Sequence, residues 1–434
     1  MDKITITSDS DYGKLVDAIC GVTTETDTED ILSEKIDAAQ GIVQSVREFG
    51  DTAVAECTER FDGVKLAPEQ FELGPDEIDK AVATVDPELV ATLERAHANI
   101  RRFHEKNLRE SWEETLDDGT VVGQRITPID RVGVYVPGGR AFYPSSVLMN
   151  IVPARVAGVN EIVMVSPPSF EGSIHPAVLA AARIAGATRV FRIGGAQAIA
   201  ALAFGTDRVP SVLKITGPGN VYVTAAKRIV RPWCDIDTEA GPSEVLVLAD
   251  ESSDPRLVAG EMLAQAEHDA DTSCILITTD ASLPEKVEAA IEVELKTLSR
   301  ATIIRQSLGT RGKLIVVRTE DEAIALSNII ASEHLAIYTR DARKTLEGIE
   351  NAGAIMLGEA TTVVLGDYYA GPNHILPTGR RARFSSPLSA EDFRKVSSIM
   401  EFTPEGVRKV GEDVVRFAKA EELTAHARAI EMRQ

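Results

Sequence analysis

Two pairs of residues carry the chemistry most readily read from this sequence. Gln265 and His268 stand three apart in a helical pattern, so both point to one side and offer an oxygen and an imidazole nitrogen to a hard or borderline cation. Asp367, after the glycine of Leu365-Gly-Asp367, and His426 complete such a set, whose nitrogen and oxygen donors suit zinc and equally cobalt or manganese. Helix caps and surface histidines are the plain alternative. Glu333 and His334 form the second pair. Adjacent residues diverge on a regular helix, so joint action requires a loop or the start of an element. Facing one cleft, the imidazole shuttles protons at neutral pH and the carboxylate activates water. The plain reading is an acidic cap beside a half-buried histidine. His374, in Gly371-Pro-Asn-His374, has a similarly polar setting, whereas His97, His104 and His175 show no partner pattern.

Three glycine-rich corners follow short apolar runs: Pro137-Gly-Gly139, Gly194-Gly195 and Gly217-Pro-Gly-Asn220. None is Gly-x-Gly-x-x-Gly, and no Walker sequence occurs. Glycine still lets backbone approach a ligand, and helices starting near Ala196 and Asn220 present N–H groups to phosphate. Ordinary turn chemistry is the alternative.

The elements that must position these residues fall into three textures. The first 130 residues look largely helical, notably from Ile31 to Val43 and Asp86 to Asn107. From Arg131, β-branched runs at 131–136, 161–165, 189–193 and 212–215 alternate with alanine-rich segments. A second series alternates from Glu244 to Ile330, and helical patterns return at 390–399, 404–420 and 421–429. Each α/β series is too short for a full doubly wound sheet, so two smaller α/β domains are expected.

Composition limits the partners. The 434 residues include 67 acidic and 46 basic ones, a net charge of −21, which disfavours nucleic acid and anionic membranes and suits cations or basic partners. No apolar run approaches the roughly 18 residues of a membrane span, and the start lacks a secretion signal, so a soluble, cytoplasmic protein is expected. The four cysteines lie far apart, against a disulfide framework or a thiolate metal cluster. With 31 Arg to 15 Lys, the acidic surface suits a high-salt cytoplasm.

The ordered stretches Ile236-Asp-Thr-Glu-Ala-Gly-Pro-Ser-Glu244, Gln265-Ala-Glu-His268, Ser332-Glu-His-Leu335, Gly366-Asp-Tyr368, Asn373-His-Ile-Leu-Pro-Thr378 and Glu422-Leu-Thr-Ala-His426 resemble the histidinol dehydrogenase family. The resemblance runs over essentially the whole chain. It implies an α/β fold of two incomplete Rossmann-like domains with small helical appendages: a helical arm at 1–30, a discontinuous first domain at 31–134 and 243–388, a second at 135–242, and a helical tail at 389–434. It further implies oxidation of L-histidinol through L-histidinaldehyde to L-histidine with two NAD+, one Zn2+ per subunit anchoring the substrate. Carried over by motif, Gln265, His268, Asp367 and His426 are the metal ligands, His334 the general base and Glu333 the activator of water. Ser243, His374 and Glu421 contact substrate alongside those ligands, while Tyr135, Gln197 and Asn220 border the dinucleotide. The family exchanges its tail across a homodimer, so Glu421 and His426 would complete the partner's site. Pro372 departs from a threonine common among relatives, which bears on the loop shape and leaves the neighbouring imidazole in place. A same-fold dehydrogenase of another amino or sulfonated alcohol is the nearer alternative. A zinc hydrolase is the more distant one, lacking His-Glu-x-x-His.

Overall fold

The computed structural model describes residues 1–21, 27–139, 142–238 and 241–434, the side chains of residue 21 and residues 27–33 excepted. Its strands, in chain order among the described residues, are β1 (Asp2–Thr5), β2 (Trp112–Thr115), β3 (Val121–Pro128), β4 (Arg131–Tyr135), β5 (Glu161–Val165), β6 (Arg189–Phe191), β7 (Lys214–Thr216), β8 (Asp235–Ile236), β9 (Glu244–Ala249), β10 (Ser273–Thr278), β11 (Lys313–Val316), β12 (His334–Ile337), β13 (Ala354–Leu357) and β14 (Arg394–Glu401).

Two parallel sheets organise the chain. One has the order β6-β5-β4-β7-β8, the other β1-β11-β10-β9-β12-β13. In each, the first strand of the α/β series lies beside the fourth, so the chain reverses direction across the sheet at that gap. Continuous apolar runs such as Val245-Leu-Val-Leu248 are what a parallel strand covered on both faces requires. Helices Pro144–Val156 and Pro176–Ala185 cover one face of the five-stranded sheet, with Pro87–Glu105 outside them, while Gly195–Phe204 and Val221–Val230 cover the other. Around the six-stranded sheet, Pro255–Ala266 and Leu283–Glu294 pack on one side and Glu320–Ile330 on the other.

Three expectations are corrected. The arm at 1–30 is not purely helical, because β1 adds a parallel edge strand to β11, pairing Ile4 with Ile315. Helix Asp9–Gly21 then lays Leu15 and Val16 on that same sheet. The helices Asp27–Phe49 and Asp51–Asp62, expected with the first domain, instead bury Val43, Val46 and Val54 against the five-stranded sheet. An amphipathic pattern identifies a buried face and says nothing of which sheet receives it. The tail is not wholly helical either. Ala390, Phe393, Val396 and Ile399 recur every third residue and mimic a helix, but only a short 3-10 turn forms at Ala390–Phe393 before β14. β14 pairs antiparallel with β3, and the β-branched Val396 and Ile399 suit that ladder.

The final helices, Pro404–Ala420 and Thr424–Glu431, pack on one another and leave Phe417 74%, Met432 72% and Met400 69% exposed. Among the described residues no helix is long and apolar enough to cross a membrane.

Candidate active site

The Glu333–His334 pair sits where the six-stranded sheet begins rather than where its strands end. His334 opens β12 and pairs in register with Val245 of β9, so Glu333 falls beside Glu244. The two glutamates interlock. Glu244 N donates to Glu333 Oε2 at 2.8 Å, and Glu333 N donates to Glu244 Oε2 at 3.2 Å. His334 Nδ1 lies 3.1 Å from the Glu244 carbonyl oxygen, an acceptor that assigns the ring proton to Nδ1. Nε2 is then the basic nitrogen. It is buried without a hydrogen-bond partner and lies 3.7 Å from Asp367 Oδ1, within ion-pair reach and too far for a hydrogen bond. Burial pulls the His334 pKa down, but Glu333 and Asp367 overcome it and push it up to about 10. Burial likewise pulls Asp367 up, and the imidazoles of His334, His374 and His268 more than offset it, leaving that carboxyl below its usual range.

Asp367 lies on the short helix Val363–Tyr368, which packs against Pro255–Ala266, the helix carrying Gln265. Gln265 Oε1 is buried with no hydrogen-bond partner. His268 follows in the turn, its N–H donating to the Gln265 carbonyl at 3.1 Å, and its imidazole acts electrostatically on Asp367. An orphaned amide oxygen on a helix packed against that of a half-buried, ionised carboxylate on which an imidazole acts has the donor chemistry a divalent cation takes. Among the described residues no three His, Cys, Asp or Glu side chains gather closely enough to hold one. His426, the remaining expected ligand, and Glu421 are exposed on the tail, and neither is joined to this cluster within the subunit.

The segment 371–379 threads between the two sheets. Asn373 Nδ2 donates to the Met149 carbonyl at 2.7 Å, and Gly379 N donates to Glu244 Oε1 at 3.0 Å. His374 lies between these anchors, with Nδ1 3.0 Å from the Asp367 carbonyl oxygen, and burial lowers its pKa. Pro372 therefore leaves the imidazole in place. Ser243 precedes Glu244 and is half-buried, its carbonyl accepting from Ser273 N at 3.0 Å. Glu239 and Ala240 of the same stretch lie outside the described residues.

Tyr135 ends β4, Asn220 follows β7 and Gln197 lies on the helix after β6, so all three stand at the carboxyl edge of the five-stranded sheet, where the gap between β4 and β7 is the place at which ligands bind open α/β sheets. Gly195 N donates to the Tyr135 hydroxyl at 3.3 Å, and burial pushes that phenol up to about 12. Gln197 Nε2 is buried and unpartnered. Asn220 caps helix Val221–Val230, accepting from Tyr222 N and Val223 N at 3.0 and 3.1 Å, which leaves its amino group for a ligand. A Cβ on Gly217, with φ +112°, would lie 2.0 Å from the Tyr135 carbonyl oxygen, so only glycine allows this approach.

A family model for histidinol dehydrogenase matches residues 25–434. The chain belongs to the histidinol dehydrogenase family. It is 48% identical over 427 residues to the histidinol dehydrogenase of Syntrophotalea carbinolica, covering 98% of this chain and 97% of that one. It is 51% identical over 393 residues to that of Geobacter metallireducens, covering 90% of each. The crystal structure of histidinol dehydrogenase from Elizabethkingia anophelis superposes with a TM-score of 0.91 at 34% identity, over 100% of this chain and 98% of that one.

Within this histidinol dehydrogenase fold, several positioning residues escaped the sequence reading. Glu244 is one, although it closes the signature stretch. Lys227 and Asp237 are others. They form a buried ion pair in which Lys227 Nζ donates to the Gly217 carbonyl at 2.9 Å and Asp237 Oδ2 accepts from Gly217 N at 2.7 Å, clamping the glycine corner. Glu261 is the clearest case. It is buried, accepts from the Tyr338 hydroxyl at 2.8 Å and from Val363 N at 2.6 Å, and lies one turn before Gln265. One carboxylate thus braces the strand of His334, the helix of Asp367 and the helix of Gln265. Its signal was an acid amid the apolar Val258, Ala259, Met262 and Leu263. Glu261→Gln is expected to lower turnover about 10- to 100-fold with little change in unfolding temperature, as outer-shell substitutions at metal sites do. Steady-state assay and thermal melting check this, and unchanged turnover would deny the brace a role.

Cys234 is buried, and burial together with Asp235 pushes its thiol up to about 12, so it offers no thiolate at neutral pH. Cys234→Ala is accordingly expected to keep most of the turnover. Accumulation of aldehyde by a folded variant would contradict this.

Proposed function

We propose that the protein oxidises L-histidinol through L-histidinaldehyde to L-histidine, with NAD+ as acceptor in both steps and zinc at the substrate site. The observation that carries this reading is His334, held through Nδ1 at the Glu244 carbonyl and 3.5 Å from Glu333 Oε2, with an unpartnered Nε2 beside Asp367. Family membership supplies the substrate class.

Zinc held by Gln265, His268 and Asp367, with His426 from a partner, would supply a positive charge that anchors the substrate and weakens the hold of Asp367 on an imidazolium at His334. Ser243, His374 and Glu421 orient the amino alcohol. His334 Nε2 takes the hydroxyl proton as hydride leaves the carbinol carbon for a nicotinamide ring held near Tyr135, Gln197 and Asn220. Glu333 then draws a proton from water as its oxygen adds to the aldehyde carbon, and His334 returns its proton to the aldehyde oxygen, which gives the hydrate and frees Nε2. His334 takes the hydroxyl proton of that hydrate as the second hydride departs to a second NAD+, leaving the carboxylic acid. The pair acts in turn because Glu244 holds both members at the mouth of one strand.

The same reading makes the active unit a homodimer with exchanged tails. Exposed Phe417, Leu423 and Met432 on the tail helices give a partner apolar surface to cover, and His426 and Glu421 stand exposed on the same tail. A cytoplasmic setting follows from the proposed reaction.

The test is to strip the purified protein with chelator, restore zinc, supply L-histidinol and NAD+, and identify the product by chromatography. Histidine formation that stops on stripping and returns with zinc is expected. Turnover untouched by stripping would remove the zinc assignment, and failure to form histidine would remove the substrate.

A further inference from the structure

One carboxylate at the corner of Tyr135 and Gln197 has no task in the reaction above. Helix Asp51–Asp62 packs against helix Gly195–Phe204. Asp51, at the start of the first, accepts a hydrogen bond from the Thr206 hydroxyl just beyond the end of the second, so the two run antiparallel. The last residue of the first, Asp62, therefore lies beside the first turn of the second, where Gly195 N meets the Tyr135 hydroxyl and Gln197 follows. Val54, Thr58 and Asp62 are spaced four apart and share one helix face, and the first two are completely buried. Asp62 consequently points inward at this corner.

Two side-chain atoms here are buried without a hydrogen-bond partner, Asp62 Oδ2 and Gln197 Nε2. One accepts and the other donates, yet they do not pair. Burial pushes the Asp62 carboxyl up to about 6, and its charge acts on Tyr135. A buried acceptor lacking a donor destabilises the empty fold, and a ligand that brings the donor relieves it.

We propose that Asp62 is a further dinucleotide-binding residue, its carboxylate accepting hydrogen bonds from a ribose of the nicotinamide dinucleotide bound at Tyr135 and Gln197. This rests on the placement of the dinucleotide proposed above. The pyrophosphate is repelled by a carboxylate, whereas the vicinal hydroxyls of a ribose offer two uncharged donors to an acceptor-only group. The Gln197 amino group complements Asp62 by donating to an oxygen of the same ligand.

The test is calorimetric titration of the full-length, zinc-loaded protein with NADH and separately with ADP-ribose, comparing wild type, Asp62→Asn, Asp62→Leu and Gln197→Ala. Asp62→Asn is expected to weaken both ligands about tenfold, the scale of a charge-assisted hydrogen bond, and Asp62→Leu to weaken them further. The unliganded Asp62 variants should unfold at the wild-type temperature or above it, because a buried unpaired carboxylate has been removed. If NADH is weakened and ADP-ribose is not, the partner is the carboxamide and the ribose assignment is overturned. Unchanged affinities in both Asp62 variants while Gln197→Ala binds weakly overturn the inference alone. Unchanged affinities in all three variants overturn the placement of the dinucleotide. A lower unfolding temperature in both Asp62 variants would make the residue a structural support and overturn the inference as well.

Discussion

His334→Ala is expected to lower kcat by about 10²- to 10⁴-fold, the range over which positioned general bases act, while the variant still folds and binds substrate. The size follows from the geometry. Nδ1 is committed to the Glu244 carbonyl, which leaves Nε2 as the one basic atom of the pair that is buried and unengaged. Removing the ring also removes the group that Glu333 and Asp367 stabilise as a cation. Glu333→Gln should behave differently, because the first hydride step does not use its carboxylate. Single-turnover measurement with L-histidinol should then yield aldehyde, whereas the same variant supplied with aldehyde should stall. Equal loss of both steps in Glu333→Gln would assign its carboxylate to substrate binding instead.

The second large effect belongs to the tail. His426→Ala and His334→Ala homodimers are each expected to be nearly inactive, yet refolding the two together should restore about a quarter of wild-type activity. Random assortment makes half the dimers mixed, and each mixed dimer carries one site in which both histidines are intact. The expectation rests on His426 standing exposed on Thr424–Glu431, away from Gln265 and Asp367 of its own subunit. Activity no higher than that of the separate variants would mean that each tail serves its own site.

The α/β fold class was legible in the sequence, and the site residues were legible as candidates. Gln265, His268, Glu333, His334 and Asp367 stood out by type and spacing only as candidates, each with a plain structural alternative, and the family motifs supplied their expected roles. The adjacency of Glu333 and His334 posed a geometric problem on a helix, and the structure resolves it by beginning β12 at His334 with Glu244 binding both neighbours. Glu244 and Glu261 act only through contacts made across 89 and 102 residues of chain, which local pattern does not encode. The alternation of strand and helix after Arg131 was legible because parallel strands are apolar throughout. The edge strands β1 and β14 were not, because their burial is slight and their pairing is decided by β11 and β3. The helices before residue 105 were visible as helices, but the sheet that receives them is a tertiary choice.

The proposed reaction is a four-electron oxidation completed at one site. It is tested most directly by the number of NADH molecules formed per L-histidinol consumed, with limiting substrate, excess NAD+ and zinc-loaded protein. Two, with histidine as the final product, is the predicted result. One, with aldehyde accumulating, would contradict the account by leaving Glu333 without its part in the second oxidation.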